Sequence, residues 1–131
     1  MAVPSEAEQL NAEGFRELLE RSRSEDDGPV VMLNLLALKP DGGLEKYMEY
    51  GAAVAPLLEG IGGRPLYTAR GGRSLLGGDR VWDLVLLVQY PSRAAFLEMV
   101  GSPEYEAIAH LRTEAITASE LHPLELEPSG D

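Results

Sequence analysis

Two stretches of the chain are apolar without alternation. Residues 30–38 read VVMLNLLAL and residues 81–90 read VWDLVLLVQY. Apolar runs of this length, bounded by Pro29 and by turn residues, predict strands buried on both faces. Between them the period changes to 3.6. Leu44, Tyr47, Met48, Gly51, Ala55 and Leu58 share a face, so a helix is expected over 44–59. Pro56 should kink it or loosen its last turn, and Gly60, Gly62 and Gly63 end it. Over 64–70, Leu66 and Thr68 alternate with Tyr67 and Ala69, which predicts a strand. Gly71-Gly72 interrupts it, 74–76 is a candidate continuation, and Gly77-Gly78-Asp79 turns the chain.

The flanks read as helices. Ser5 and Glu8 form a capping box, so a first helix should begin near Glu6. Its narrow apolar stripe of Leu10, Gly14 and Leu18, with Phe15 and Leu19 beside it, runs to about Ser22. Residues 24–28 form an acidic connector. Ser92 caps a short helix ending near Gly101, and Ser102-Pro103 restarts a helix expected to reach about Ala118. Residues 121–126 form a last strand, placed at a sheet edge by Pro123.

A helical extension with its acidic linker (1–28) thus precedes one α+β domain (29–126) and a short polar tail (127–131). The domain order βαββαβ is the ferredoxin-like arrangement, a four-stranded antiparallel sheet with its helices on one face. Its first and third strands are apolar on both sides, so the other face would be an oily patch too large for a monomer. Packing two such faces gives a dimeric α/β barrel, and a homodimer is expected.

Composition narrows the function. With no cysteine and only His110 and His122 as imidazoles, thiol chemistry, disulfides and a multi-histidine metal centre are excluded. No cofactor or metal is expected. No apolar run is long enough for a membrane span, and the acidic, polar N-terminus does not resemble a signal peptide, so a cytoplasmic protein is expected. The net charge of -11 argues against nucleic acid. That charge is uneven: residues 1–28 contribute -5, residues 119–131 contribute -4, and the middle only -2. The terminal acidity reads as solvated tails. Within the middle, Arg64, Arg70, Arg73 and Arg80 face one acid, Asp79. These arginines are either solvated edge charges or contacts for an anionic ligand, which guanidinium binds bidentately.

Several motifs in fixed order carry a family resemblance. They are Tyr67 followed by Ala69-Arg70-Gly71-Gly72, then Tyr90-Pro91-Ser92, then Ser102-Pro103-Glu104-Tyr105, with Phe96 and Arg112 on the helices. Over about residues 29–126 the chain resembles the domain-of-unknown-function family thirteen-thirty, in the dimeric α/β-barrel superfamily. It departs from the family in its extra N-terminal helix and in Gly77-Gly78, where the family usually has Glu-Gly. The resemblance implies the fold and the dimer but no activity. Superfamily relatives include cofactor-independent monooxygenases, lactone isomerases and haem enzymes, and the fold does not choose among them.

Candidate chemistry rests on a few side chains. Arg112 shares a helix face with Tyr105 and Ile108, so its guanidinium should meet the sheet, paired with Asp83 or strand-end carbonyls or bound to an anion. Asn34 is the only polar side chain of its strand and either ties the strand to a neighbour or polarises a ligand carbonyl. Tyr47, Tyr67, Trp82 and Tyr105 are core aromatics or the walls of a pocket. The expected ligand site combines Asn34, Tyr67, Arg70, Trp82, Tyr105 and Arg112, with a small anionic or aromatic ligand. Tyr67, Asp83 and His122 are the candidates for proton transfer. The paired glycines lack the Lys-Ser/Thr of a phosphate loop. Two functions follow: a small-molecule-binding homodimer, with a cofactor-independent enzyme as its catalytic form, or a non-catalytic sensor or accessory protein docking through its N-terminal helix.

Overall fold

The computed structural model describes residues 9–127. The elements are α1 (Ala12–Ser22), β1 (Val30–Leu38), α2 (Gly43–Gly60), β2 (Arg64–Arg70), β3 (Leu84–Tyr90), α3 (Arg93–Val100), α4 (Pro103–Glu106), α5 (Ala109–Ala115) and β4 (Ile116–Leu124). The strands form one sheet in the order β2-β3-β1-β4, and every neighbouring pair is antiparallel. This is the ferredoxin-like α+β fold expected from the βαββαβ order.

Alternate residues of β1 point to opposite sides of the sheet. Val30 and Met32 pack with Leu58, Tyr90, Met99 and Val100 in one core cluster. Leu36 packs with Tyr47, Tyr50, Leu84, Ala115 and Ile116 in the other. The even-numbered residues of β1 therefore face the helices. The odd-numbered residues face away, and beside them on β3 lie Val85, opposite Leu35, and Leu87, opposite Leu33. All four of these apolar side chains are only partly buried. The middle of the helix-free face is thus apolar along its two central strands, with Gln89 at one end opposite the buried Val31.

Four boundaries differ from the sequence reading. First, α1 begins at Ala12, where the Asn11 side chain accepts the N–H of Gly14 at 2.9 Å. The Ser5–Glu8 box lies outside the described residues. Second, β3 begins at Leu84, not Val81, because residues 71–83 form an excursion from the sheet. Arg73 and Val81 make only an isolated bridge there. Third, 74–76 is not strand: Leu75 and Leu76 are 99% and 94% exposed. Fourth, no helix runs from 103 to 118. It breaks into α4 and α5, and β4 starts at Ile116. Ile116 pairs with Leu38, and the Lys39 N–H donates to the Ala115 carbonyl at 2.9 Å. That carbonyl also explains Gly43, since a Cβ there would lie 2.8 Å from it. Pro56 is accommodated inside α2, which stays helical to Gly60. Pro123 does lie on an edge strand.

The terminal acids are not merely solvated. Leu18 of α1 enters the core cluster of Val30 and Leu58. Asp27 in the connector caps α3 by accepting the N–H groups of Arg93 at 2.8 Å and Ala94 at 3.2 Å. The Arg93 side chain is buried and pairs with Asp27 at 3.6 Å and with Glu125 at 3.7 Å. Glu125 also accepts from Arg21. The connector before β1 and the residue after β4 are thereby tied to α3.

Candidate functional site

A cleft of about 460 Å³ opens where β1 leaves the sheet and β3 enters it. Leu38, Leu44 and Leu84 give it an apolar floor, and Lys39, Glu45, Arg70 and Asp83 supply its charges. Local structure holds this wall rigid. Asp83 donates its N–H to the Leu36 carbonyl at 2.7 Å, and its carboxylate accepts the Leu38 N–H at 2.7 Å. Gly71 donates to the Asp83 carbonyl at 3.0 Å. A Cβ on Gly71 would come within 2.2 Å of the Trp82 carbonyl oxygen, so only glycine fits this approach. Among the described residues neither Arg70 nor Lys39 makes an ion pair. Two cations without an ion pair among the described residues therefore face the cleft beside one such anion, Glu45, while its aspartate is occupied by backbone.

Beneath the helices lies a layer of tyrosines. The hydroxyls of Tyr50 and Tyr105 are 2.9 Å apart and their rings meet edge to face. Tyr47 packs on Tyr50 at 5.4 Å between ring centroids. Burial pushes the hydroxyl pKa values of Tyr47, Tyr50 and Tyr90 up. Burial also raises Tyr105, against a lowering contribution from its hydrogen bond with Tyr50. These phenols are neutral donors at any physiological pH. Tyr50 escaped the sequence reading, although it stands three residues after Tyr47 and so shares its helix face, and Tyr90 entered it only as part of a strand and a family motif.

The expected site residues do not gather in one pocket. Asn34 faces the helices between Leu86 and Leu121, and its amide nitrogen donates to the Met32 carbonyl at 3.4 Å. Tyr105 lies on the same side in the tyrosine layer. Tyr67 stands opposite Leu87, which is opposite Leu33, so it points to the other face and is 61% exposed. Strand parity forbids Tyr67 and Asn34 from sharing a pocket within one chain. Trp82 sits in the 71–83 excursion with the Arg80 guanidinium 5.5 Å above its ring. Arg112 is on α5, where burial lowers its pKa to about 10. It does not line the cleft. Arg70 and Asp83 do. His122 lies on the helix-free face opposite Leu33, with Nε2 2.8 Å from Glu120 Oε1. His110 is exposed on α5.

The family model described as Domain of unknown function (DUF1330) matches residues 43–121. The chain belongs to this family. The fold of this chain is also that of solved structures. A Rhodopseudomonas palustris protein of unknown function is 33% identical, with a TM-score of 0.76 over 92% of this chain and 97% of that one. A dimeric ferredoxin-like protein of unknown function from Jannaschia sp. CCS1 is 15% identical, with a TM-score of 0.58 over 76% of this chain and 100% of that one. A Caulobacter crescentus protein, named provisionally as an antibiotic biosynthesis monooxygenase, is 17% identical, with a TM-score of 0.52 over 78% of this chain and 92% of that one. The last two likenesses carry the fold alone. No curated protein matches the chain. Among the described residues no helix is long and apolar enough to cross a membrane.

Proposed function

We propose that this DUF1330 protein is a small-molecule-binding homodimer. Its helix-free sheet face would join a second copy, and its cleft at Arg70 would receive a small anionic compound. The observation that carries the ligand reading is the pair of cations, Arg70 and Lys39, facing an apolar-floored cleft without an ion-pair partner among the described residues. A carboxylate offers Arg70 a bidentate partner, and the leucine floor suits an aromatic or aliphatic body. The dimer reading rests on Leu33, Leu35, Val85 and Leu87, which form a contiguous, partly exposed apolar patch in the middle of the helix-free face, between the buried Val31 and Ala37. Dimeric proteins among the solved structures of this fold support it. Leu18 of α1 packs into the core of its own domain, which favours the ligand reading over docking through that helix.

Benzoate, an aromatic carboxylate, tests the site by isothermal titration calorimetry. Wild-type protein is expected to bind it, and Arg70→Ala to weaken it at least tenfold. That loss corresponds to one charge-assisted hydrogen bond of about 1.5–3 kcal/mol. Equal affinity in the variant, or no binding by the wild type, would overturn the cleft as the site.

A further inference from the structure

The helix-free face carries one row of residues with polar groups at both ends. Tyr67 stands opposite Leu87, Leu87 opposite Leu33, and Leu33 opposite His122. These four lie at one height across the sheet, the phenol on one outer strand and the imidazole on the other. Both are exposed, and His122 is held by Glu120 at 2.8 Å. Within one chain three strand spacings separate Tyr67 from His122, roughly 14 Å, so they cannot act together.

A second copy changes this, on the homodimer reading given above. The twofold axis between two facing sheets can run across the strands or along them. Across the strands, it sets β2 against β2, two edges that carry arginine and no acid. Along the strands, it sets β2 against β4 of the other copy. On the helix-free face β2 presents Arg64 and no acid, since Arg70 stands opposite Leu84 on the helix side, whereas β4 presents Glu120 and no lysine or arginine. Charge complementarity selects the second arrangement. β2 and β4 run in opposite directions within the sheet. A rotation along the strands keeps those directions, so the two edges meet antiparallel and cover each other. It also keeps height. Pro65, Val88, Met32 and Pro123 form the adjacent row. The two residues that lack an N–H therefore meet one another at the seam.

The geometry points to a site made by two copies, in which Tyr67 of one protomer faces the His122–Glu120 pair of the other, twice per dimer. Glu120 accepts from Nε2 and leaves Nδ1 to take a proton, the arrangement of a carboxylate-oriented general base. Leu33 and Leu87 form apolar walls. Such a site fits a small aromatic or conjugated compound with a weakly acidic hydroxyl. The ligand O–H proton passes to His122 Nδ1, and the Tyr67 hydroxyl donates a hydrogen bond to the oxyanion left behind. The site holds an imidazolium and a phenolate, and the proton returns on release.

The chain has no cysteine, so the double variant Tyr67→Cys/His122→Cys introduces the only two thiols. Facing sheets lie about 10 Å apart, beyond the roughly 7 Å reach of a disulfide. A bismaleimide of about 10 Å span is therefore added to bridge the thiols. In a mixture of the two single variants, a bridge between positions 67 and 122 can form only between copies. A covalent dimer is expected on a denaturing gel from the double variant, and from a mixture of the two single variants. A dimer by sedimentation that does not cross-link in either format overturns the two-copy site and leaves the dimer standing. A monomer overturns both. The proton step is read with 4-nitrophenol, whose absorbance reports its ionisation. The wild type is expected to increase the phenolate fraction on binding, and His122→Gln to reduce that increase at least fivefold while remaining dimeric. No increase with the wild type, or an equal one with His122→Gln, overturns the acid–base role.

Discussion

Replacing Asp27 by alanine should destabilise the protein far more than its place in an acidic connector suggests. The Asp27 carboxylate accepts two N–H groups from the first turn of α3 and pairs with Arg93, whose residue is 6% exposed. Loss of a helix cap costs about 1 kcal/mol. Removing one partner of a buried ion pair costs about 3–5 kcal/mol, because the remaining charge stays buried. Glu125, 3.7 Å from Arg93 but itself exposed, retains part of the compensation. The low end of that range applies, and with the lost cap the total is about 4 kcal/mol. At about 4 °C per kcal/mol for a chain of this size, the melting temperature should fall by about 16 °C. Urea denaturation followed by circular dichroism measures the change. Adding Arg93→Met in the same chain should recover more than half of the loss, since no charge is then left unpaired. A loss below about 1 kcal/mol, or no recovery in the double variant, would refute the reasoning.

Other residues give equally direct expectations. Gly71→Ala sets a Cβ against the Trp82 carbonyl and should cost about 2 kcal/mol or shift the 71–83 excursion, seen as loss of benzoate binding and a lower denaturation midpoint. Tyr50→Phe leaves the Tyr105 hydroxyl without this partner and should cost about 1–2 kcal/mol in urea. Stability should also fall as pH rises above 10. The folded state holds the protons of Tyr47, Tyr50, Tyr90 and Tyr105 more tightly than the unfolded chain, so their contribution is complete below the ordinary tyrosine pKa and is lost above it. Arg112, with its pKa lowered to about 10, acts in the opposite sense, but it is one group against four. A denaturation midpoint that is flat or rising between pH 9 and 11 would contradict this balance.

Much of the fold was legible because local and tertiary signals agree. The unbroken run at 30–38 became the buried central strand β1, the 3.6 period at 44–59 became α2, and Ser92 and Ser102 cap α3 and α4 as their positions suggest. The start of β4 was hidden because residues 109–115 lead into it as a good helix. Only pairing with Leu38 across the sheet makes Ile116 extended. The site was less legible. Whether Tyr67 shares a face with Asn34 depends on the register of β2 on β3, which slips between Pro65 and Tyr67. No single strand records that slip. The partnership of Asp27 with Arg93 spans 66 residues and leaves no local signature.

The uncovered sheet face is the centre of this account, and sedimentation velocity at micromolar concentration tests it most directly. The wild type is expected to sediment as a particle of twice its 14.2 kDa chain mass, and Leu33→Asp, with a charge in the middle of that face, as a single chain. A monomeric wild type, or a Leu33→Asp variant that remains fully dimeric, would contradict it.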